Sequence, residues 1–320
     1  MKNKIIWTAA LLAVLFASCK KSETTETKPS LTGLSVNSAL PYVAKGTVLD
    51  FNAVTSKITT SDKENHGTLG IYWQVNSAKK DTLSKDILKS NPTFSYKADT
   101  VGTYIVYCYV YDLESKYYNA SASTSFTVID PDTVLEGLTR ENEVSLNGSS
   151  YPTTVLDGKT WLAVNWYSDP AGSAFLKSDV MESVFGRYYT WEQAQQTCPE
   201  GWHLPTAAEF DACAGDDAGS LMVNASFKGA DMWNYWPEVS VTNSAKFNAI
   251  PVGYMDMSQD APMFGYLKYA CWWTADQMED DDEEWGVFRY IYEDEPTIMK
   301  GKGSKTSLAL TVRCVKESGD

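Results

Sequence analysis

The spacing of apolar residues predicts an all-β fold for residues 33–129. Ile71, Trp73 and Val75 lie two positions apart, which is the period of a strand that buries one face. The run GTYIVYCYVYD at 102–112 is apolar or aromatic on both faces, as is typical of a central strand between packed layers. Polar stretches containing Gly, Asn and Asp separate these runs. We therefore predict a β-sandwich.

The second part of the chain combines helical and strand patterns. Thr190 and Gln193 fit a capping box at the start of one helix, and Thr206 and Glu209 fit a second, which Gly215 can end. Further apolar runs predict strands; they lie near residues 159–166, 248–256, 269–276, 284–292 and 306–317. This part is therefore predicted to be α+β.

Polar segments mark the boundaries between these parts. Residues 130–141, DPDTVLEGLTRE, begin with Asp-Pro and are predicted to be a linker between two domains. Residues 19–32 contain no aromatic residue and few apolar ones, which predicts a disordered tether.

The first 18 residues predict an export signal. Lys2 and Lys4 precede an apolar run at 5–16 that is too short to span a bilayer. Phe16-Ala17-Ser18-Cys19 resembles a bacterial lipobox, which implies that Cys19 becomes an acylated N-terminus and the only membrane anchor. The alternative is an ordinary secretory signal followed by a chance cysteine. The tether resembles those of Bacteroidetes surface lipoproteins, which implies the outer membrane and its exterior face.

The charge of the chain argues against one class of partner. The formal net charge is −14 at pH 7, and removal of the signal would delete two lysines and no acidic residue. An acidic surface repels phosphate backbones, so nucleic acid is not an expected partner.

The first domain resembles the immunoglobulin-like modules of the polycystic-kidney-disease type, with Trp73 as the core tryptophan. Cys108 stands where an immunoglobulin domain has its second cysteine, but this segment has no first one. We therefore predict that Cys108 is a buried free thiol and that the domain is a spacer.

The stretch CPEGWHLPTAAEFDAC at 198–213 contains several residues of the types that often act in catalysis or bind metals. Cys198 ends the first predicted helix, His203 lies in the turn, and Glu209 is committed to capping. No third group is available to orient a Cys-His pair, and Cys-x4-His is not a strong zinc spacing. The stretch is interpreted as scaffold, and no cofactor is expected. The run EDDDEE at 279–284 matches no calcium loop and is interpreted as solvated, while metal binding is left open.

The stretch GRYYTWEQAQQTCPEGWHLPTAAEF at 186–210 resembles the Fibrobacter succinogenes major paralogous domain. Further landmarks of that family follow the expected order; they are residues 147–166, 247–256, 271–276 and 310–317. The resemblance covers residues 142–317. The chain departs from the family pattern at residues 163–166, which read Ala-Val-Asn-Trp. It implies a C-type-lectin-like domain whose first and last strands pair.

The same resemblance implies a disulfide between Cys198 and Cys314. Cys213 and Cys271 occupy positions where the family has apolar core residues, which suggests a second bridge. The sequence by itself allows three pairings of these four cysteines.

The stretch DMWNYWPE at 231–238 supplies candidate ligand-binding residues. Trp233, Tyr235 and Trp236 suit stacking on a sugar ring, although a hydrophobic lid over the core is the alternative. We expect a non-catalytic surface lipoprotein that binds a glycan or a surface partner through residues 216–285. Two alternatives remain: a subunit of an outer-membrane assembly such as a pilus tip or glycan-uptake complex, and a formylglycine-generating-type enzyme that uses Cys213 and Cys271.

Overall fold

The structure is a computed structural model. It describes residues 27–37, 39–76, 78–83, 92–233, 239–258, 260, 262–280 and 283–318, and for residues 78–83 it describes the backbone alone. The predicted signal at 1–18 and Cys19 lie outside these ranges. Within them, none of the helices combines the length and the apolar composition needed to cross a membrane.

The N-terminal part is a β-sandwich. Its described strands are β1 Leu31–Thr32, β2 Ser35–Val36, β3 Tyr42–Ala44, β4 Val48–Val54, β5 Thr59–Thr60, β6 Leu69–Val75, β7 Ala78–Leu83, β8 Thr93–Lys97, β9 Gly102–Asp112 and β10 Ala120–Ile129. One sheet has the order β3-β10-β9-β6-β7 and faces the sheet β2-β4-β8. Strand β3 pairs with β10 in parallel, whereas the other neighbours are antiparallel. This is an immunoglobulin-like arrangement, as predicted.

The core of the sandwich follows the predicted alternation. Trp73 on β6 and Cys108 on β9 are cross-strand partners, and both are fully buried. Trp73 stacks on Phe94 of the facing sheet at 5.5 Å between ring centroids. Cys108 is a free thiol, as predicted, and burial raises its pKa to about 12. The hydroxyl of Tyr104 donates to the carbonyl of Thr100, which holds the start of β9 against the preceding loop.

The end of the predicted tether belongs to the sandwich. Residues 19–32 were predicted to be disordered, but Leu31–Thr32 forms strand β1 and pairs with β5. Leu31 is buried in the sandwich core, and its backbone N–H donates to the carbonyl of Tyr118. The prediction was wrong for these residues because one apolar side chain and one backbone ladder suffice to order a short segment.

The predicted linker at 130–141 also contains structure. Leu135–Glu136 forms β11, which pairs with a strand of the C-terminal part at Ser226–Phe227. Close by, Tyr42 of the sandwich packs between the rings of Phe175 and Phe227, at centroid distances of 6.3 and 5.8 Å. The two parts of the chain therefore contact each other through aromatic packing as well as backbone pairing.

Residues 142–317, here called the head region, are mostly β with short helices. The strands from the linker onward are β11 Leu135–Glu136, β12 Glu143–Leu146, β13 Ser149–Leu156, β14 Lys159–Leu162, β15 Ser173–Ala174, β16 Arg187–Thr190, β17 Ser226–Phe227, β18 Ala230–Asp231, β19 Tyr254–Asp256, β20 Met263–Phe264, β21 Tyr269–Asp280, β22 Glu283–Tyr292, β23 Met299–Ser304, β24 Leu308–Leu310 and β25 Val315–Glu317. The α-helices are α1 Glu182–Phe185, α2 Trp191–Thr197, α3 Ala207–Ala214 and α4 Ala218–Leu221, preceded by 3-10 turns at Phe175–Lys177 and Asp179–Met181.

Four sheets organise these strands in the described residues. Their orders are β11-β17-β18, β12-β13-β14-β25, β15-β16-β24-β19-β20 and β21-β22-β23. Strand β25 pairs antiparallel with β14, so the opening and closing strands of the head region meet, as the family resemblance implied.

Both predicted capping boxes are present. The side chain of Thr190 accepts from the backbone of Gln193 at the start of α2, and the side chain of Gln193 accepts from the backbone of Thr190. Thr206 and Glu209 make the same reciprocal pair at the start of α3. These bonds satisfy backbone donors that the first turn of a helix leaves unpaired.

A disulfide joins the end of α2 to the segment before β25. It links Cys198 to Cys314, as the resemblance implied. The suggested second bridge is not formed: Cys213 and Cys271 are both free. Successive side chains of a strand point to opposite faces, and Cys271 lies on the face of β21 that packs with Trp273, whereas Cys213 of α3 packs with the cluster around Trp272.

Candidate functional site

Trp233, one of the three predicted ligand-binding residues, does not lie on the protein surface. This side chain is 4 % exposed and packs in the cluster that contains Phe247 and Trp272. Its indole Nε1–H donates to the carbonyl of Ala249 at 3.0 Å. The prediction that Trp233 binds ligand is therefore wrong, because the ring fills the core of the head region. Tyr235 and Trp236 lie outside the described residues.

The His203–Glu209 pair is a structural element of helix α3. Nε2 of His203 lies 3.0 Å from Oε1 of Glu209, and Nζ of Lys159 lies 3.4 Å from the same oxygen. Burial alone would raise the pKa of Glu209, but the hydrogen bonds from the Thr206 backbone and from His203 outweigh it and lower the pKa to about 2. Glu209 is thus an ionised cap. In the described ranges, no three His, Cys, Asp or Glu side chains are grouped closely enough to hold a metal ion.

The two free thiols of the head region are poorly placed for covalent chemistry. They belong to different core clusters on opposite faces of β21. Burial raises the pKa of Cys213 to about 12 and raises that of Cys271 further. Since the thiolate is the reactive form, neither thiol has the properties of a nucleophile.

An aromatic groove opens where the sheet β21-β22-β23 meets the strands β19 and β24. Its volume is about 330 Å³, at the lower end of the range for ligand pockets. The residues that line it are Tyr254, Tyr269, Cys271, Phe288, Tyr290, Lys300, Gly301, Leu308 and Leu310. The groove is the solvent-open end of a core cluster, with buried Cys271 and Leu310 at its base.

Strand alternation builds the groove. On β21, Tyr269 and Cys271 share the groove face while Ala270 and Trp272 pack on the other side. On β22, Phe288 and Tyr290 continue the same face because they pair with Trp273 and Cys271. The sequence therefore presents a row of rings along two neighbouring strands.

Two glycines of β23 make room for this row. The strand reads MKGKGS, so Gly301 and Gly303 share one face and Lys300 and Lys302 the other. A Cβ at Gly301 would lie 2.2 Å from the ring of Phe288, and a Cβ at Gly303 would lie 2.3 Å from Leu308. Any larger residue at these positions would displace the side chains that shape the groove.

The tyrosines of the groove combine ring faces with available hydroxyls. Tyr254 lies 6.2 Å from Tyr269, and Tyr269 lies 6.0 Å from Tyr290, between ring centroids. Among the described residues, none makes a hydrogen bond to the hydroxyl of Tyr254, Tyr269 or Tyr290. Burial raises the pKa of Tyr254 and of Tyr290, so both hydroxyls stay protonated at neutral pH and can donate and accept.

The described lining of the groove contains no acidic residue even though the protein is acidic. Lys300 pairs with Arg289 across the strands, and its Nζ donates to Asp211 of α3 at 3.0 Å. Lys300 is the one charged residue among the described residues that line the groove, and its ammonium is paired with Asp211.

A second compartment lies next to the groove. It has a volume of about 360 Å³ and is lined by Tyr254, Asp256, Ser258, Phe264, Ser307 and Leu308. Tyr254 and Leu308 belong to both compartments. Phe264 is the cross-strand partner of Tyr254, stacks on it at 5.8 Å and is 41 % exposed.

The sequence analysis predicted ligand contacts within residues 216–285. That range includes the groove residues Tyr254 and Tyr269 but not the groove residues Tyr290 and Leu308. The sequence signal for these residues was the alternation of aromatic residues at 288, 290 and 292 together with the Lys-Gly alternation of β23. A strand with rings on one face next to a strand with glycines on that face predicts an aromatic groove.

Comparison with known proteins identifies the family. Residues 140–316 match the model of the Fibrobacter succinogenes major domain, which confirms the resemblance inferred over 142–317. Because the match spans more than half of the chain, the protein belongs to this family. A comparison with curated protein sequences finds no match.

Solved structures with some likeness to the chain are distant. The CARDB domain of a Pyrococcus furiosus protein is 14 % identical, with coverage of 32 % of this chain and 95 % of that one and a TM-score of 0.25. The PKD domain of an M14-like peptidase from a Thermoplasmatales archaeon is 18 % identical, with coverage of 32 % and 93 % and a TM-score of 0.21. The adhesin InvE of Yersinia pseudotuberculosis is 9 % identical, with coverage of 90 % and 70 % and a TM-score of 0.26.

Proposed function

We propose that the protein is a non-catalytic binding or adhesion protein whose head region binds glycans through the aromatic groove. The observation that carries this proposal is the combination of partly exposed aromatic rings with tyrosine hydroxyls that lack hydrogen-bond partners among the described residues. Sugar rings present C–H faces that stack on aromatic rings and hydroxyls that exchange hydrogen bonds with tyrosine. A non-catalytic role is supported by the high pKa values of the two separated thiols.

The architecture we propose has two domains: the immunoglobulin-like sandwich as a spacer and a C-type-lectin-like head. The pairing of β14 with β25 and the two capped helices support the second assignment. The contacts of Tyr42 with Phe175 and Phe227 would keep the groove at a fixed orientation to the spacer.

We further propose that the protein is anchored in the outer membrane by a lipid on Cys19 and faces the cell exterior. Many copies on one surface would convert weak single contacts into useful avidity. Substitution Cys19→Ala should move the protein from the membrane fraction to the soluble fraction. An intact mass of the mature protein without an acyl addition would disprove the anchor.

A second candidate function is that of a subunit in an outer-membrane assembly. The outer face of the five-stranded sheet favours it, because Tyr107, Tyr109 and Tyr111 on β9 lie beside Ser121 and Ser123 on β10, with no charged side chain on this face of the two strands. Such a face suits a protein partner. Purification in mild detergent should recover a stoichiometric partner if this candidate is correct.

The glycan proposal is tested with the full mature chain on an array of bacterial, plant and host glycans. We expect Tyr254→Ala to abolish retention, since this ring lines both compartments, and Tyr290→Phe to weaken it by removing one hydroxyl. Tyr118→Ala is the matched control, because that tyrosine is 56 % exposed in the sandwich, away from the groove. Near-ultraviolet circular dichroism verifies that each variant is folded.

The proposal fails on either of two results. One is a parent protein that retains no glycan on the array. The other is a pair of folded variants, Tyr254→Ala and Tyr290→Phe, that bind every ligand as tightly as the parent does.

A further inference from the structure

The aromatic groove and the second compartment lie side by side, and together they are here called the cleft. The pairing of Asp256 with Leu308 places these two side chains next to each other, with Tyr254 two positions along the same face of β19. Tyr254 and Leu308 line both spaces, so the two compartments are adjacent and of similar volume.

The two compartments differ in chemistry. The first is lined mainly by rings and aliphatic side chains, and its charged lining residue, Lys300, is paired with Asp211. The second adds polar groups from Asp256, Ser258 and Ser307. Oδ1 of Asp256 accepts hydrogen bonds from the backbone and the hydroxyl of Ser258 at 2.9 and 2.6 Å, which fixes the carboxylate at the wall.

We infer that the cleft binds two consecutive neutral pyranose units of a glycan, an inference that rests on the proposed function. One unit stacks in the tyrosine-lined compartment. The next exchanges hydrogen bonds through its hydroxyls with the polar compartment, against the exposed ring of Phe264. A uronic acid is disfavoured, because its carboxylate would approach Asp256 on a protein whose net charge is already −14.

Chain length and ligand charge are the variables of the experiment. Calorimetric titration of the mature chain uses the mono-, di- and trisaccharides of glucose, mannose and galactose, and di- and trigalacturonate as charged probes. For the neutral series that binds, we expect affinity to rise about tenfold from one unit to two, and to change little with a third. The galacturonates should bind at least about tenfold more weakly than the neutral disaccharide.

Two variants separate the compartments. Ser307→Leu fills the polar compartment and should remove the gain in affinity from the second unit. Thr306→Leu, at its exposed neighbour, is the control and should bind mono- and disaccharides as the parent does. Ser258→Leu serves the same purpose if Ser307→Leu fails to fold. Asp256→Asn should reduce the difference in affinity between the galacturonates and the neutral disaccharide, because it removes the negative charge and keeps a side-chain hydrogen-bond acceptor.

The outcomes distinguish this inference from the proposed function. If no sugar of any length or charge binds the parent and the array is also blank, the proposed function itself is wrong. If sugars bind but the mono- and disaccharides bind equally, or galacturonates bind as tightly as neutral sugars, glycan binding stands and the two-unit neutral cleft is overturned.

Discussion

The guanidinium of Arg313 lies over the ring of Phe247, 4.5 Å from its centroid, while Nη1 donates to the Phe247 carbonyl at 2.8 Å. The same side chain donates to the carbonyls of Leu162 and Asn248 and to the side-chain oxygen of Asn165. Arg313 is fully buried, and within the described part of the chain no carboxylate is paired with it. Carbonyl dipoles and an aromatic face therefore take the place of a counter-ion, and they link three separate segments of the head region.

This arrangement predicts that Arg313→Lys destabilises the head region by about 2–4 kcal/mol. Lysine keeps the charge, but its ammonium cannot reproduce a planar fork that reaches several carbonyls at once. The free energy of unfolding in urea, followed by tryptophan fluorescence, measures the effect. Lys300→Arg, on an exposed side chain, is the control and should change stability little. A parent-like unfolding midpoint for Arg313→Lys would contradict this account.

The disulfide between Cys198 and Cys314 is predicted to stabilise the head region by about 4–5 kcal/mol on the loop-entropy model, because the bonded cysteines are 116 residues apart in sequence. The double variant Cys198→Ala/Cys314→Ala should lose this stability, and reductant should then have no further effect on it. Non-reducing peptide mapping of the parent should recover one linked pair. Recovery of a peptide that joins Cys213 to Cys271 would show that the topology around β21 is wrong.

Helix α3 should lose stability in acid through Glu209. Its folded pKa of about 2 lies below the usual value of 4.5, so its contribution is complete above about pH 4.5 and disappears as the pH falls towards 2. Glu209→Gln should cost about 1 kcal/mol at pH 7, the typical worth of a cap, and less at pH 2. Unfolding curves of both proteins at pH 7, 4 and 2 measure this. A cost that stays constant over these pH values would rule out the ionised cap as its source.

Local features of the head region could be predicted from the sequence, because they depend on residues close together in the chain. Thr190 with Gln193, and Thr206 with Glu209, each close a hydrogen-bonded pair within three positions, so the spacing by itself identifies them. The link between Cys198 and Cys314 was inferred differently, from the resemblance to a family, since spacing left three pairings open.

The rings of β22 and the glycines of β23 can be seen in the sequence, but the whole groove could not be predicted in the same way, because its residues come from strands far apart in sequence. Tyr254 and Tyr290 meet only after β19, β21 and β22 are assembled, and nothing local distinguishes an exposed ring from a buried one. Trp233 shows the converse error: a cluster of aromatic residues at 231–238 indicated a surface, but tertiary packing in the cluster that contains Phe247 placed the ring in the core.

Trp233 therefore becomes a test of stability and not of binding. Trp233→Ala should lower the free energy of unfolding by about 3–5 kcal/mol, because it removes a large ring from the core together with the hydrogen bond to the Ala249 carbonyl. Trp233→Phe fills most of the same space and should cost less, about 1–2 kcal/mol, chiefly through the lost hydrogen bond. Urea unfolding measures both, and glycan retention of the folded fraction is measured in parallel. If Trp233→Ala left stability unchanged while abolishing glycan retention, the ring would belong to the binding surface after all, and the aromatic groove would lose its claim to be the site.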